Sequence, residues 1–379
     1  MSELALDSTT DADESLIELA SVVRSALAVG GESWDRRAAP DRERWARYGE
    51  LGWLSLLVPE SRGGAEAAER AAAVVARGLG RACRREPYVA AVMAAGCLAG
   101  LPATPAVEAL LGGLSSGALL GVLAWQCESG DGAGPPARLP VRAAGAEDTR
   151  GALELSGTAW WVPTAHADTY LVAAEYNGTT LLAEVDPGGA GVRVVPSGAA
   201  DGTVWARLEL HQARLPGSAV LAVGEHVHRA LRTAIHTGTV LCAAELLGLV
   251  DRMLELTVGY LSTRRQFGRP IGSFQVLQHR AVDMWLQQRL ADAALDGALR
   301  RVCAPGTDER IRALAASSAK ARTSAAALRV ANEAVQLHGA IGFTDEYELG
   351  RYVNRALVLA SWLGNARAHA RRHDRLLAS

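Results

Sequence analysis

Apolar residues recur three or four positions apart in the two ends of the chain and alternate with polar residues in the part between them. After a short polar start, the spacing of one face of an amphipathic helix is first seen at Leu16, Ala20, Val23 and Leu27. Further helical stretches are predicted over residues 45–53, 66–79, 89–98 and 106–111. Residues 1–117 are therefore predicted to form an N-terminal helical domain.

The middle of the chain, from residue 118 to 224, is richer in glycine and proline and carries short runs typical of strands. The predicted strands are residues 152–155, 170–174, 180–185, 192–195 and 205–210. Asn177-Gly178 separates two of them and favours a tight hairpin, because both residues tolerate positive φ. Strands without helices between them predict a small antiparallel β-barrel or sandwich rather than a parallel nucleotide-binding sheet.

Residues 225–379 return to helical spacing and are predicted to form a C-terminal four-helix bundle. The four long runs are residues 227–264, 275–302, 308–337 and 346–377. The breaks between them are short, as antiparallel neighbours require. The fold class is therefore mainly α with a β middle domain.

Composition excludes several classes of function. A formal net charge of −2 predicts no nucleic-acid partner. The five cysteines lie far apart and match no metal spacing, so no metal site is expected. No G-x-G-x-x-G or P-loop motif is present, which argues against NAD and nucleoside triphosphates. The N-terminus lacks the pattern of a signal peptide and no membrane span is predicted, so we expect a soluble, cytoplasmic protein.

Three sequence blocks point to one family. RRQFG at residues 264–268 is followed by PIGSFQ, QLHGAIGFT occupies residues 336–344, and GWLSLLVPE at residues 52–60 precedes Gly63-Gly64. In this order and spacing they resemble the blocks of the acyl-CoA dehydrogenase family of flavoproteins. The resemblance covers nearly the whole chain.

The resemblance implies an FAD-dependent oxidoreductase that converts an acyl-CoA or related thioester to its α,β-enoyl form. In this family a base removes the proton next to the thioester carbonyl, and FAD accepts a hydride from the β carbon. It also implies a homo- or hetero-oligomer, a dimer or tetramer, and an electron acceptor such as an electron-transfer flavoprotein.

The resemblance also assigns cofactor contacts. Arg264 and Gln266 correspond to residues that contact the FAD pyrophosphate of a neighbouring subunit, and a guanidinium fork suits a diphosphate. The other candidates in the bundle are Phe267, Gln275, Gln336 and Gly339. Arginines at this helix end could instead satisfy its last carbonyls, which is a purely structural alternative.

The middle domain supplies the candidates near the flavin ring, and here the chain departs from the family. Trp161 takes the family's tryptophan position, although Trp160 and Trp161 could simply pack the barrel. Ser129 is the candidate within QCESGDG, a weak counterpart of the family's upstream segment. Pro163 stands where the family has a threonine, and Ala340 where it has a second glycine.

The largest departure concerns the catalytic base. Alignment from the GFT turn places Leu363 at the usual glutamate position, and the position used by a minority of relatives falls at about Gly238. Glu245 lies seven residues further along the same helix, about two turns or ~10 Å away. It is the candidate base of this chain, and the alternative is a structural carboxylate paired with an arginine.

With these departures, the chain resembles the small subunits of heteromeric bacterial acyl-CoA dehydrogenases of the pimeloyl-CoA and steroid side-chain type. There, one FAD site is shared by two unlike chains and only one of them carries the base. Two further alternatives stay open. One is a non-catalytic subunit that completes another chain's FAD site, and the other is a same-fold flavoenzyme for a non-CoA substrate such as an acyl-carrier-protein thioester.

Overall fold

The structure is a computed structural model that describes residues 3–28, 39–64, 68–128, 132–145, 152–304, 306–344 and 346–378. The helices are α1 (Glu3–Ala28), α2 (Arg42–Glu50), α3 (Ala68–Arg81), α4 (Tyr88–Ala99), α5 (Pro105–Ser115), α6 (Glu225–Thr263), α7 (Gln275–Val302), α8 (Glu309–His338), α9 (Leu349–Ser361) and α10 (Ala366–Ala378). Short 3₁₀ turns lie at Trp53–Ser55, Glu60–Arg62, Gly217–Ala219, Ile271–Ser273 and Gly339–Phe343.

The strands are β1 (Gly121–Ala124), β2 (Val141–Gly145), β3 (Leu153–Val162), β4 (Thr169–Tyr176), β5 (Thr179–Val185), β6 (Val192–Gly198), β7 (Val204–Leu215) and β8 (Val220–Val223). A two-residue hairpin, β9 (Arg265–Gln266) and β10 (Arg269–Pro270), follows α6. The eight-stranded sheet runs β6–β7–β3–β2–β4–β5–β8, with β1 added alongside β4. The predicted class, helices followed by a β middle and a helical C-terminal part, is confirmed.

Several details differ from the sequence prediction. The sheet is mixed, because β1 and β2 both pair parallel to β4 while the other pairings are antiparallel. Strands β1, β2 and β8 were not predicted, since four or five residues give too little alternation to detect. The predicted Asn177-Gly178 hairpin is confirmed, with φ values of 47° and 76°. The predicted domain boundaries at 117/118 and 224/225 stay predictions, and each falls between two elements.

The last predicted helix, residues 346–377, is wrong as a single run. It is divided into α9 and α10, because Leu363 and Gly364 take positive φ values of 55° and 94°. Asn365 then starts the next helix, its side-chain Oδ1 accepting a hydrogen bond from Ala368 N at 2.9 Å. We call residues 361–365 the α9–α10 junction.

Helix α6 forms the centre of the molecule and is buried over most of its length. A stretch of it is long and apolar enough to cross a membrane, with mean hydropathy 1.5, but 94% of that stretch is buried inside the fold. Helix α3 crosses it closely at two glycines. A Cβ on Gly80 would lie 2.0 Å from the Glu245 carbonyl oxygen, and one on Gly248 equally close to that of Arg77. The core therefore depends on glycines that the hydrophobic pattern does not reveal.

Candidate functional site

The RRQFG block forms a hairpin at the end of α6. Phe267 and Gly268 make its turn with φ values of 52° and 80°, the left-handed pair that a two-residue hairpin requires. The Ile271 N–H closes the hairpin by donating to the Arg264 carbonyl at 2.8 Å. This local geometry turns the chain from α6 into α7.

The tip of this hairpin projects from the chain. Phe267 is 90% exposed, with its ring edge-on to Phe274 at a centroid distance of 6.1 Å. The Arg269 guanidinium lies 4.1 Å from the centre of the Phe274 ring, within cation–π range. Phe274 therefore packs against the hairpin tip on one side, while the Phe267 ring stays exposed to solvent on the other.

The QLHGAIGFT block lies at the same end of the bundle. The His338 ring stacks on Tyr260 at 4.6 Å, one turn of α6 before Arg264, and its Nε2 lies 3.2 Å from the Tyr347 hydroxyl. Burial lowers the pKa of His338. Gly339 has a φ of 66°, and a Cβ there would meet nothing in this chain. The structure therefore brings Gly339 close to the end of α6.

The predicted adenosine-end residues share this location and are all exposed. They are Arg264, Gln266, Phe267, Gln275, Gln336 and Gly339. Within the described part of the chain, the Arg264 guanidinium bonds to no carbonyl or carboxylate, so it does not cap its helix; its backbone N–H donates to Tyr260. An open guanidinium, an open amide and a glycine that permits close backbone approach fit a diphosphate ligand. We call this surface the adenosine end.

The predicted ring-end residue Trp161 lies in the β domain rather than in the helical C-terminal part that carries these residues. It occupies a bulge in β3 with a φ of 56° and is 52% exposed. Trp160 beside it is covered by the Arg207 guanidinium at 4.8 Å from the ring centre. Trp161 is thus open to a planar partner, whereas Trp160 packs. Pro163 follows directly and offers neither a hydroxyl nor an N–H at the family's threonine position.

Part of the ring end falls outside the described residues, and Ser129 lies there. The neighbouring Gln126 is described and is 8% exposed, with its carbonyl accepting from Trp160 N at 2.9 Å. On the other side, Trp362 of the α9–α10 junction meets Trp205 edge-on at 5.7 Å. The ring end is therefore built from β3, β7 and that junction.

The two ends of the site lie at opposite ends of α9. The turn at Gly339–Phe343 precedes the first residue of α9, and Trp362 follows its last. The 13 residues of α9 span about 20 Å at 1.5 Å per residue. Within one chain, the Gly339–Phe343 turn and Trp362 are therefore separated by the length of α9.

The two positions at which the family resemblance predicts the base, Leu363 and about Gly238, lack a carboxylate. Leu363 is 1% exposed, and its carbonyl accepts from His369 Nε2 at 2.7 Å. Gly238 lies against Met93, because a Cβ built there would be 2.1 Å from the Met93 sulfur. A larger residue at 238 requires Met93 to move.

Glu245 is buried in an ion-pair cluster. Its Oε1 accepts from Arg355 Nη2 at 2.6 Å and from Nε at 3.0 Å. Arg355 also donates from Nη1 to Asp201 Oδ2 at 2.8 Å. Asp201 in turn accepts from the Thr203 hydroxyl, and that hydroxyl accepts from Trp205 Nε1 at 2.9 Å. The cluster joins α6, α9 and the β6–β7 turn.

Burial is the largest influence on Glu245 and raises its pKa, although Arg355 counteracts the effect. The two carboxylates raise the pKa of Arg355 in turn. Of the two readings left open by the sequence, these contacts favour the arginine-paired structural carboxylate; the catalytic role stays a prediction. Sequence reasoning missed Arg355 and Asp201, because no local pattern links residues 201, 245 and 355.

The fold and the two ends of the site define a flavin-dependent oxidoreductase of the helical–β–helical type. Residues 228–375 match the acyl-CoA dehydrogenase C-terminal domain and residues 11–103 the acyl-CoA dehydrogenase N-terminal domain. Acyl-CoA dehydrogenase FadE27 of Mycobacterium tuberculosis is 32% identical over 357 residues, covering 89% of this chain and 88% of that protein. The chain belongs to the acyl-CoA dehydrogenase family.

Further similarities point to the same group. Acyl-CoA dehydrogenase IpdE2 of Mycolicibacterium smegmatis is 39% identical over 136 residues, a match that covers 36% of this chain and only 41% of that relative. Among solved structures, the ChsE4–ChsE5 complex from Mycobacterium tuberculosis superposes with a TM-score of 0.80 at 28% identity, covering 97% of this chain and 98% of that one. The Tcur3481–Tcur3483 steroid ACAD gives 0.83 at 26%, with the same coverage. Family membership makes FAD the cofactor and an acyl thioester the substrate class.

Proposed function

We propose that this chain is one subunit of a heteromeric acyl-CoA dehydrogenase. It would supply the adenosine end of an FAD site whose ring end and catalytic base belong to an unlike chain. The observation that carries the proposal is the contrast within the chain: the adenosine end is open, whereas Leu363 and Gly238 occupy the two base positions.

The separation of the two ends supports a shared site. Because α9 separates the Gly339–Phe343 turn from Trp362, we infer that a cofactor held by this chain's hairpin reaches a ring end on another chain. The exposed Phe267 at the hairpin tip gives that other chain an apolar contact. This is the arrangement expected for FAD bound between subunits.

The outer face of α7 supports association of the same kind. Large apolar side chains that are 43–65% exposed recur along it; they are Val276, Val282, Trp285, Leu286 and Leu290. Soluble monomers seldom expose such a stripe, and the apolar centre of a subunit interface has this composition. The face fits a dimer or tetramer.

The chemistry divides accordingly. Bound FAD would supply the hydride acceptor for the β carbon of the thioester. Arg264 of this chain would hold its diphosphate, Gln336 and Gly339 would line the approach to it, and Phe267 would exclude water beside it. The proton next to the carbonyl goes to a carboxylate of the partner subunit, because Glu245 is held by Arg355.

The relatives narrow the substrates to be tested first. The Tcur3481–Tcur3483 complex is described as a steroid ACAD and ChsE4–ChsE5 as a complex of two chains. We therefore propose acyl-CoA thioesters with a bulky ring system, an electron-transfer flavoprotein as acceptor and a cytoplasmic location. An acyl-carrier-protein thioester is the alternative substrate.

The decisive experiment compares the chain alone with the chain co-expressed with a similar protein that keeps the family's glutamate. We expect one FAD per heterodimer, and rapid anaerobic bleaching of the flavin by an acyl-CoA in the complex. The chain alone is expected to bleach at least 10²-fold more slowly, the usual contribution of a general base. Fast bleaching by the isolated chain, or two FAD per heterodimer, refutes the proposal.

A further inference from the structure

Lys320 is the single lysine of the sequence; the other 38 of the 39 lysine and arginine residues are arginines. It lies in the middle of α8 and is 0% exposed. Buried lysines normally pair with a carboxylate. Among the described residues, no carboxylate reaches its ammonium group, so its burial has another cause.

The partners of Lys320 are carbonyl oxygens of the last turn of α9 and of the α9–α10 junction that follows it. Its Nζ donates to the carbonyls of Leu359 and Gly364, both at 2.9 Å, and approaches that of Ala360 at 3.4 Å. The last carbonyls of a helix lack partners within the helix, and a cation there is favourable. The fourth contact, Ser324 Oγ at 3.2 Å, belongs to α8 itself.

The junction that Lys320 holds is packed against the ring end. Gly364 lies so close to the β domain that a Cβ would be 2.7 Å from Ala133 Cα. Trp362 contacts Trp205. The next residue, Leu363, has a φ of 55°, a backbone conformation that is costly for a leucine. Such a conformation persists only when its surroundings enforce it.

We propose that Lys320 is a positioning residue whose ammonium group fixes the α9–α10 junction, and so sets where Trp362 and Leu363 stand at the ring end. A lysine is required because three donors on one small atom can reach carbonyls in different directions. An arginine fork presents its donors in one plane and needs more room. This explains why one lysine remains in a chain that uses arginine elsewhere.

The groups around Lys320 come from several helices. Cys242 of α6 shares the Leu359 carbonyl at 3.6 Å, and His369 of α10 binds the Leu363 carbonyl. Burial lowers the pKa of Lys320 and, together with the Lys320 charge, lowers the pKa of His369 to about 3. His369 is therefore uncharged at neutral pH, whereas the carbonyl oxygens around the Lys320 Nζ favour its charged form.

The first test compares Lys320→Met with Ser324→Ala by amide hydrogen exchange. Lys320→Met removes the contacts to the junction, whereas Ser324→Ala removes the one contact that does not involve it. Losing charge-assisted bonds of this kind should speed exchange of the Trp362–His369 amides about tenfold or more. Exchange in α7 should stay unchanged. Equal protection of the junction in both variants, or a uniform rise throughout the bundle, overturns the proposal.

The second test uses the unsubstituted protein, in case Lys320→Met does not fold. With ¹³C-labelled lysine the chain gives a single ε-carbon resonance. We expect the ¹³C chemical shift of this ε carbon to be that of a charged lysine at pH 7. The amine should titrate with a lower midpoint than that of free lysine. A neutral amine at pH 7 overturns the proposal.

The role of Lys320 at the junction does not depend on the proposed function. The inference rests on the proposed function only for the statement that the ring end of this chain takes no part in catalysis. If the partner provides the active ring end, Lys320→Met changes junction exchange and leaves flavin reduction in the complex within about twofold, a difference of under 0.5 kcal/mol. If Lys320→Met slows flavin reduction in the complex and also speeds amide exchange at the junction, the positioning role holds and the proposed division between subunits is wrong.

Discussion

The carbonyl oxygen of Leu363, the residue predicted to stand at the family's usual base position, accepts a hydrogen bond from Nε2 of His369 at 2.7 Å. The donor is a histidine in the first turn of α10 that is itself 0% exposed. The position is thus occupied by a leucine whose backbone is fixed from the neighbouring helix. This contact leads to a prediction about the pH dependence of stability.

His369 should make the protein lose stability as the pH falls. Burial is the largest cause that lowers its folded-state pKa to about 3, below the ordinary 6.5. The unfolded chain then binds the extra proton, so the stabilisation is complete above about pH 6.5 and is lost towards pH 3. Below pH 6 the slope from this one group approaches about 1.4 kcal/mol per pH unit. His369→Gln, which can still donate to Leu363, should remove that slope in urea unfolding measured from pH 7 to pH 5. An identical slope in both proteins would contradict the assignment.

Arg264→Lys should weaken FAD binding although the charge is kept. Lysine cannot bind a diphosphate through two parallel hydrogen bonds. The loss is roughly 1.5–3 kcal/mol, or about ten- to a hundredfold in affinity. Flavin content after dialysis and a fluorescence titration of the assembled complex measure it. Arg265→Lys in the next position of the hairpin is the matched control and should bind FAD normally. Equal affinity in the two variants would mean that Arg264 does not contact the diphosphate.

Glu245→Gln should preserve flavin binding and activity in the complex, because the base is expected in the partner subunit. Burial raises the pKa of Glu245, so its contribution to stability is present below pH 4.5 and declines as the pH rises through the folded-state pKa. Relative to the natural chain, the stability of the variant should therefore improve as the pH rises through the folded-state pKa of Glu245. Loss of activity with FAD still bound would instead identify Glu245 as the catalytic base.

Arg355→Met should be far more damaging than Glu245→Gln. It leaves Glu245 and Asp201 buried without their shared cation, a change that typically costs 3–5 kcal/mol. Chemical denaturation of the two single variants measures the difference. A double variant, Glu245→Gln with Arg355→Met, should recover part of the loss. Equal stability of the two single variants would show that the cluster is not coupled.

Gly238→Ala tests whether the second base position is closed by packing. The new methyl group would meet the Met93 sulfur at 2.1 Å, and overpacking of this kind costs about 1–3 kcal/mol. Met93→Ala should lower stability alone but partly rescue Gly238→Ala, which a double-mutant cycle by thermal unfolding reveals. Additive losses would show that the two residues do not compete for space.

The sequence alone determined the family and the order of the three parts of the chain, which are helical, β and helical. Long runs with helical spacing fixed α6, α7 and α8, because amphipathic periodicity depends only on residues within one helix. The Asn177-Gly178 turn was equally local. The prediction that Leu363 and Gly238 replace the family's carboxylate also followed from the sequence, because the base position is found by counting residues from a family motif.

Tertiary structure decided what these residues touch. The break between α9 and α10 depends on the positive φ of Leu363, which His369 and packing impose against the preference of leucine. The partner of Glu245 lies 110 residues away, and Lys320 reaches carbonyls that periodicity does not distinguish from others. Side-chain patterns report which face of an element is buried. Which groups meet on that face depends on how the elements cross, and only the folded chain determines that.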